Sequence, residues 1–436
     1  MTINRRRFCA SALAMGVGIA STGLAPSKGL AAARSPWITA DGKIKIGLLW
    51  SLSGVMQVIE EPSRDVALFW VDQVNRNGGV AGMEVVPVVV DAMSNMGPYR
   101  SGATRLIKEE SVLAIFGGYT SISRRAVMPL VTQSDHLFYY PTVYEGRECW
   151  QNVICTGALA NQHSYDLVPY MVEHFGPRAY FVGSNYIWPK ESNRNAANWL
   201  ARVDGELVGE AYVPLGLDDF ENILADIKKV QPDWIFSTVV GDSDVFFRQQ
   251  YVQAGLHPDT MPTAALTTSE AEVRAMGYEF GDGHYCSAPY FQSLDNPTNQ
   301  RFVEDFLSSP YGGSGVTQSN METTYLSLLF FQKAVEAIVA SAGVAALTPR
   351  RVRDVSGGMQ LSAAESPQGP IKIDPDNFNS WVTPKIGRFD KSGQVEVMQN
   401  RGEWVQPKPF LLYPDRGVCK ADGLHLPDGK IVRAAS

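Results

Sequence analysis

Tyrosine, serine and threonine follow two successive apolar runs, and these polar residues are the best placed in the sequence to bind a ligand. The first run, Val112–Phe116, has the composition of a buried strand and leads into Tyr119-Thr120-Ser121. The second run, Leu137–Tyr140, leads into Tyr140-Pro141-Thr142. A helix predicted from Ser123 to about Gln133 joins the two runs, so the strands should be parallel neighbours.

Ligands of open α/β sheets bind in the crevice outside the carboxyl ends of the strands. At this edge the sequence offers two phenol rings, three hydroxyls and the free N–H groups of the helix that starts near Ser123. None of these groups is charged, which favours a small, neutral, polar solute. The alternative is that both tyrosines are half-buried framework residues with satisfied hydroxyls.

The second half of the chain repeats this chemistry. A predicted strand over Tyr180–Gly183 is followed by Ser184-Asn185-Tyr186-Ile187-Trp188, and the strand over Trp234–Val240 is followed by Gly241-Asp242, a weaker pair of candidates. Two such faces would form a cleft that closes over a ligand. The alternative for Trp188 is an aromatic side chain that packs ahead of a helix.

Strands and helices alternate twice along the chain, in two series of similar length. This order predicts an α/β protein of two doubly wound, Rossmann-like lobes joined by a hinge in the crossing strands. The predicted lobe limits are residues 43–157 plus 289–347 for lobe one, 158–288 plus 348–409 for lobe two, and 410–436 for a C-terminal tail.

The N-terminus predicts export. Arg5-Arg6-Arg7-Phe8 precedes a weakly apolar stretch and a small-residue cleavage site at Ala31-Ala32-Ala33. This pattern favours a twin-arginine signal over residues 1–33, with an ordinary secretory signal as the alternative. No later run is expected to reach the roughly 20 apolar residues of a membrane helix, so the mature protein should be soluble and periplasmic.

Composition excludes several other classes. The 436 residues carry a net charge of −7 without a basic stripe, so nucleic acid is not an expected partner. There is no phosphate-binding glycine loop and no Cys/His cluster with metal spacing, so neither a cofactor nor a metal is predicted. Four cysteines remain after removal of the signal, Cys149, Cys155, Cys286 and Cys419, and they allow three full pairings.

Many short segments, in order, resemble the type I periplasmic solute-binding proteins, in particular the branch that binds urea and short-chain aliphatic amides. They include LLWSLSGVM, FGGYTSISRRAVMP, YYPTVYEGRE, ALANQHS, VGSNYIWPKESN and SPQGPIKIDPDN. The resemblance spans about residues 43–409. It implies a non-catalytic protein that captures urea or an amide between its lobes and delivers it to an ABC permease in the inner membrane.

The resemblance also implies site residues. It assigns the pocket to Tyr119 and Ser121, to Tyr140 and Thr142, and to Tyr186 with Trp188, with the hydroxyls of Ser121 and Thr142 bound to the amide and the aromatic rings as walls. Three positions depart from the branch. Asn185 stands where Asp is usual, Val143 replaces a proline of the amide sensor, and Trp188 is bulkier than the usual Phe or Tyr.

Two other functions are compatible with parts of the sequence. One is a periplasmic sensor for a small amide or amino acid, coupled to a membrane receptor. The other is an exported hydrolase, which is disfavoured because there is no G-x-S-x-G motif, no apparent Ser-His-Asp order, and hardly any histidine in the pocket loops.

Overall fold

The structure is a computed structural model that describes residues 35–433. The predicted export signal, residues 1–33, lies outside the described residues.

A five-stranded parallel sheet is built from the first part of the chain. Its strand order is β2-β1-β3-β4-β5. The elements are β1 (Ile44–Trp50), α1 (Gln57–Arg76), β2 (Val85–Asp91), α2 (Met96–Lys108), β3 (Ala114–Gly117), α3 (Ser121–Gln133), β4 (Phe138–Tyr140) and β5 (Val153–Cys155). We call this sheet and its helices the first lobe.

A seven-stranded sheet follows, with the order β15-β14-β10-β9-β8-β6-β7. Its parallel part is built from α4 (Ala160–Phe175), β6 (Arg178–Ser184), α5 (Ile187–Arg202), β7 (Glu206–Val213), α6 (Glu221–Val230), β8 (Trp234–Thr238), α7 (Asp242–Gln253), β9 (Thr263–Ala265), α8 (Glu270–Met276), α9 (Tyr278–Gly281) and β10 (Tyr285–Ala288). We call this sheet and its helices the second lobe.

The remaining elements follow β10 along the chain, and two of their strands join the second sheet. They are α10 (Pro297–Leu307), α11 (Ser319–Ala342), α12 (Pro349–Ser356), β11 (Gln360–Leu361), β12 (Ile371–Ile373), β13 (Ser380–Trp381), β14 (Lys385–Phe389), β15 (Val395–Asn400), β16 (Val418–Lys420), β17 (Gly423–His425) and β18 (Ile431–Val432). Strands β14 and β15 join the second sheet antiparallel, and β11–β13 and β16–β18 form two small sheets of their own.

The parallel parts of the two sheets have the same topology. Counted from its own first strand, each has the order 2-1-3-4-5, because β6 and β7 repeat the arrangement of β1 and β2. In sheets of this kind a ligand binds where the strand order reverses, which is beside β1 and β3 in one sheet and β6 and β8 in the other. The predicted two-part, doubly wound α/β fold is confirmed, and its switch points coincide with the predicted loops.

The start of α3 differs from the prediction. Thr120, and not Ser123, is the N-cap: its side chain accepts a hydrogen bond from the N–H of Ser123 at 3.1 Å. Ser123 lies inside the helix, where its hydroxyl donates to the Thr120 carbonyl at 2.6 Å. Both residues can act as caps, and the extended backbone of Thr120 decides between them.

Residues 348–382 were expected in the second lobe, but their apolar side chains pack in the core of the first. Val352, Leu361, Ile371 and Phe378 are buried in one cluster with Ile44 and other residues of that lobe. These side chains therefore help to build the core of the first lobe, and the lobe limits stay a prediction.

Helix α11 is long and apolar enough to cross a membrane by length and composition, and among the described residues it is the one helix with that property. The sequence analysis expected no such run. Its buried side chains include Leu326, Phe330, Phe331, Ala334 and Ile338, which pack in the core of the first lobe. The helix is thus a core helix whose apolar residues face protein on much of its surface.

A disulfide joins Cys149 to Cys419 across 270 residues of sequence, while Cys155 and Cys286 are free and buried. This is one of the pairings that the cysteine count left open. It attaches the C-terminal segment, with its sheet β16–β18, to the loop after β4.

Candidate functional site: the cleft between the two sheets

The predicted aromatic residues of both lobes meet. Tyr119 belongs to the same buried hydrophobic cluster as Tyr186 and Trp188, and Val143 packs against that cluster. Tyr119 and Val143 follow strands of the first sheet, whereas Tyr186 and Trp188 follow β6 of the second. The structure therefore brings these four residues together from two separate sheets.

A small cavity of about 30 Å³ lies between the loops of the two sheets. At roughly 10–15 Å³ for each water-sized probe, it has room for two or three water molecules. Its lining consists of Tyr119, Val143, His163, Leu266, Thr267, Thr268, Ser269, Glu270, Ser287, Ala288, Tyr290, Phe291, Gln318, Ser319 and Asn320.

Tyr119 and Asn320 form one polar wall of the cavity. The hydroxyl of Tyr119 is hydrogen-bonded to the side chain of Asn320, and burial raises the pKa of Tyr119 well above its usual value. Behind this wall, the hydroxyl of Thr142 donates to Oδ1 of Asn320 at 3.0 Å. Thr142 therefore supports the wall and does not line the cavity itself.

Ser121 takes part in a fully buried charged network, which the sequence analysis missed because it expected an uncharged crevice. The hydroxyl of Ser121 donates to Glu145 at 2.9 Å, and Nη2 of Arg124 binds the other carboxylate oxygen at 2.5 Å. Nε of Arg124 lies 3.2 Å from Glu148. A residue three positions after Ser121 on a helix shares its face, and this spacing was the available signal.

Tyr140 and Tyr186 border this charged network. The guanidinium of Arg124 lies 5.0 Å from the ring centre of Tyr140, and the hydroxyl of Tyr140 donates to the backbone carbonyl of Tyr119. Burial, and then the negative charge of Glu145, raise the pKa of Tyr186 well above its usual value. Arg124 and Glu145 thus contact two of the predicted site residues, Ser121 and Tyr140, and act electrostatically on a third, Tyr186.

Asn185 and the weaker candidates Gly241 and Asp242 are not among the residues that line the cavity. Asn185 and Asp242 are exposed. Gly241 is buried and faces the first lobe: a Cβ at this position would lie 2.8 Å from the backbone oxygen of Val55 and 3.4 Å from Sδ of Met56. Gly241 thus marks a close contact between the lobes, in the loop after β8.

A second contact between the lobes contains charges. Nη1 of Arg147, in the loop after β4, binds Glu191 of α5 at 2.6 Å. The hydroxyl of Tyr413 donates to the same carboxylate at 2.7 Å, and the Arg147 guanidinium lies 4.7 Å from the ring centre of Tyr413. The C-terminal segment held by Cys419 therefore takes part in this contact.

Several polar residues of the lining were not predicted from the sequence, among them His163, Glu270, Gln318 and Asn320. His163 stands in the ALANQHS segment and lies on α4, a helix that was not predicted. Glu270 is the first residue of α8, and Gln318 precedes α11. The chain must fold before these positions, far apart in sequence, meet at one cavity.

Gly241→Ala is expected to weaken contact between the lobes and lower the free energy of unfolding by about 1–3 kcal/mol. Gly241 has φ 64° and ψ −147°, a conformation that is essentially restricted to glycine, and an added Cβ would press on the Val55 carbonyl. Chemical denaturation measures the loss of stability, and small-angle scattering of the variant measures any opening of the two lobes.

The matched control is Gly255→Ala. Gly255 also has a positive φ, 76°, but nothing lies within 4 Å of its added Cβ. It should lose stability through backbone strain alone and keep the wild-type scattering profile. Equal scattering of both variants would contradict the contact at Gly241.

A family model supplies the decisive comparison. The model described as periplasmic binding protein domain matches residues 44–416. This protein belongs to that family. Membership implies a periplasmic location and a role in binding small solutes for ABC permeases.

Two individual proteins match this chain at low sequence identity. "Leu/Ile/Val-binding protein homolog 7" of Brucella melitensis biotype 1 is 22% identical over 393 residues, which cover 86% of this chain and 92% of that protein. A "Limonene hydroxylase" of Geobacillus stearothermophilus is 29% identical over 136 residues, 31% of this chain and 23% of that protein. The latter match is too short to carry an activity.

A solved structure shows the same fold. The solute binding protein of an ABC transporter from Rhodopseudomonas palustris BisB5, crystallised with 3,4-dihydroxybenzoic acid, superposes with a TM-score of 0.74 at 18% identity. The match covers 84% of this chain and 98% of that one. At this identity the superposition shows the fold alone, and the family model adds that the chain is a periplasmic binding protein, a family of solute-binding proteins and not of enzymes.

Proposed function

We propose that this periplasmic binding protein captures urea or a short-chain aliphatic amide and delivers it to an ABC importer. The observation that carries the proposal is the cavity between the sheets, which is small and has no cationic side chain in its lining.

The size of the cavity favours a very small solute. Urea, formamide and acetamide are little larger than the two or three water molecules that a volume of about 30 Å³ accommodates. Dihydroxybenzoic acid and leucine are much larger, and typical pockets for larger organic ligands measure roughly 300–1,000 Å³. A ligand of that size would require the lobes to move apart.

The charge of the lining disfavours an anionic solute. None of the cavity's lining residues is a lysine or an arginine. The lining histidine, His163, is buried, and burial lowers its pKa to about 4, so it is uncharged near neutral pH. A carboxylate ligand would therefore lie in a desolvated site without a counter-charge, which is strongly unfavourable.

Closure of the lobes is the step that allows the solute to be delivered to the permease. In the proposal, the open protein admits the solute, and the closed form presents both lobes to the permease. The ion pair Arg147–Glu191 and the contact at Gly241 join the lobes in the closed form. A twin-arginine signal over residues 1–33 would export the protein to the periplasm.

Thermal unfolding of the chain from Arg34 tests the proposal. Urea, formamide, acetamide and propionamide are compared with leucine, glutamate and 3,4-dihydroxybenzoic acid. A ligand at a hundredfold excess over its Kd stabilises the protein by about 2.7 kcal/mol, so one of the first four should raise the Tm. A rise with leucine or with the benzoate, and none with urea or an amide, would overturn the proposal.

A further inference from the structure

His163 has an unusual position in the cavity wall. It lies on α4, just after the chain crosses from the first sheet to the second, and it is 2% exposed. Its Nδ1 lies 2.9 Å from the backbone oxygen of Ser287, and the Ser287 hydroxyl donates to the His163 carbonyl at 3.2 Å. These two contacts hold the imidazole against the end of β10.

The contact at Nδ1 determines the tautomer. A backbone carbonyl can only accept a hydrogen bond, so Nδ1 must carry the proton. In the neutral ring, Nε2 is then an acceptor with a free lone pair. Nε2 is buried and has no hydrogen-bond partner among the described residues. Buried polar atoms in native proteins are nearly always paired, so Nε2 is satisfied by a molecule in the cavity, which is a ligand when one is bound and water otherwise.

Gln318 offers a hydrogen-bond donor, whereas His163 offers an acceptor. Its Oε1 accepts a hydrogen bond from the Ser269 hydroxyl, whereas its buried Nε2 has no partner among the described residues. Ser269 also lies against Glu272, whose pKa burial raises to about 7. A protonated Glu272 can donate to Ser269, which leaves the serine's own proton for Gln318. The Nε2 group of Gln318 is then a free donor.

We propose that His163 and Gln318 select the ligand: Nε2 of His163 accepts an N–H from it, and Nε2 of Gln318 donates to its carbonyl oxygen. This inference rests on the proposed function of the same cavity. It narrows the ligand to a neutral compound with a carbonyl bonded to an NH₂ group, which is a primary amide or urea. A ketone of the same shape has the acceptor but lacks the donor.

Acetamide and acetone provide the matched pair of probes, because they differ only in NH₂ against CH₃. Calorimetric titration of the chain from Arg34 should show acetamide binding roughly 10- to 100-fold more tightly than acetone, since acetone would leave Nε2 of His163 buried and unpaired. In His163→Phe, which keeps a planar ring, acetamide should lose most of this advantage. In Gln318→Met, both probes should bind more weakly to a similar degree, because both carry the carbonyl oxygen.

Two further variants and one measurement control for damage to the fold. His163→Gln keeps an acceptor and should recover part of the preference for acetamide. His174→Phe changes an exposed histidine on the same helix and should bind as the wild type does. In the unaltered protein, nitrogen-15 NMR of the histidines should show acetamide shifting Nε2 of His163 and leaving its Nδ1 nearly unchanged.

Different results test the proposed function and the proposed role of His163 separately. If the wild type binds neither urea nor any amide, the proposed function fails. If the wild type binds acetamide but its preference over acetone is unchanged in His163→Phe, or its Nε2 resonance does not move, the function stands and the role of His163 is overturned. Loss of the preference in His163→Phe together with the Nε2 shift supports the inference.

Discussion

Glu145→Gln should lower the free energy of unfolding by about 3–5 kcal/mol, the usual result of removing one partner of a buried ion pair. The side chains of Arg124 and Glu145 are both fully buried. Nη1 of Arg124 already has no hydrogen-bond partner within residues 35–433. With Glu145 neutralised, Glu148 alone would face the buried guanidinium, and it also binds the exposed Arg125 at 2.7 Å. Denaturant titration measures the loss.

The control is an ion pair with the same separation at the surface. Arg350 and Asp135 are also 2.5 Å apart, but their side chains are 62% and 45% exposed. Asp135→Asn should cost less than about 1 kcal/mol. If Glu145→Gln cost no more than Asp135→Asn, the buried network would not be important for stability.

A double variant tests whether the cost arises from an unpaired charge. Arg124→Met combined with Glu145→Leu removes both charges, and replacement of a buried pair by apolar residues is often nearly neutral. The double variant should therefore be more stable than Glu145→Gln alone. It should nevertheless bind urea or amide weakly, because Tyr140, whose hydroxyl holds the backbone of the cavity residue Tyr119, loses the guanidinium beside its ring.

The fold could be predicted from local sequence because most elements carry their own signal. The apolar run at Ala114–Gly117 is buried at every residue, as expected for a central parallel strand, and polar residues follow it where the topology needs a loop. Helix α4 was missed, although its buried face includes Leu167 and Met171. Buried polar residues such as Gln162 and His163 interrupt the apolar pattern at its start.

The candidate site was predicted only in part, since its details depend on contacts that are distant in sequence. Tyr119 and Val143, both predicted site residues, line the cavity, and their contact with a ligand stays a prediction. Ser121 was expected to bind the ligand, but its hydroxyl donates to Glu145, 24 residues away. The free acceptor of His163 depends on Ser287, 124 residues away. Neither pairing leaves a periodic pattern that could be recognised in the sequence.

Glu270→Gln should change how the stability of the protein depends on pH. Glu270 is the first residue of α8, 1% exposed, and its Oε1 accepts the N–H of Gln292 at 2.8 Å. A helix N-terminus favours a carboxylate, but burial is the larger effect and raises the pKa of Glu270 to about 7, from 4.5. The folded protein therefore holds this proton more tightly than the unfolded chain does.

The direction of the pH dependence follows from this difference in pKa between the folded and the unfolded protein. A carboxyl group whose pKa is raised by folding contributes stability that is fully present below the unfolded pKa of 4.5 and is lost as the pH rises through about 7. Glutamine at this position does not titrate. The stability of Glu270→Gln relative to the wild type should thus increase by roughly 2–3 kcal/mol between pH 5 and pH 8, as measured by denaturant titration at each pH.

Other buried carboxyls titrate over the same range, but both proteins carry them, so their contribution largely cancels in the difference. Glu221→Gln is the matched control, because Glu221 is the first residue of α6 and is exposed. Its difference from the wild type measures the effect of the same substitution at an exposed helix N-terminus. A difference for Glu270→Gln that does not change with pH would mean that Glu270 is ionised in the folded protein. The cavity would then carry a negative charge, and a cationic solute would fit it better than a neutral amide.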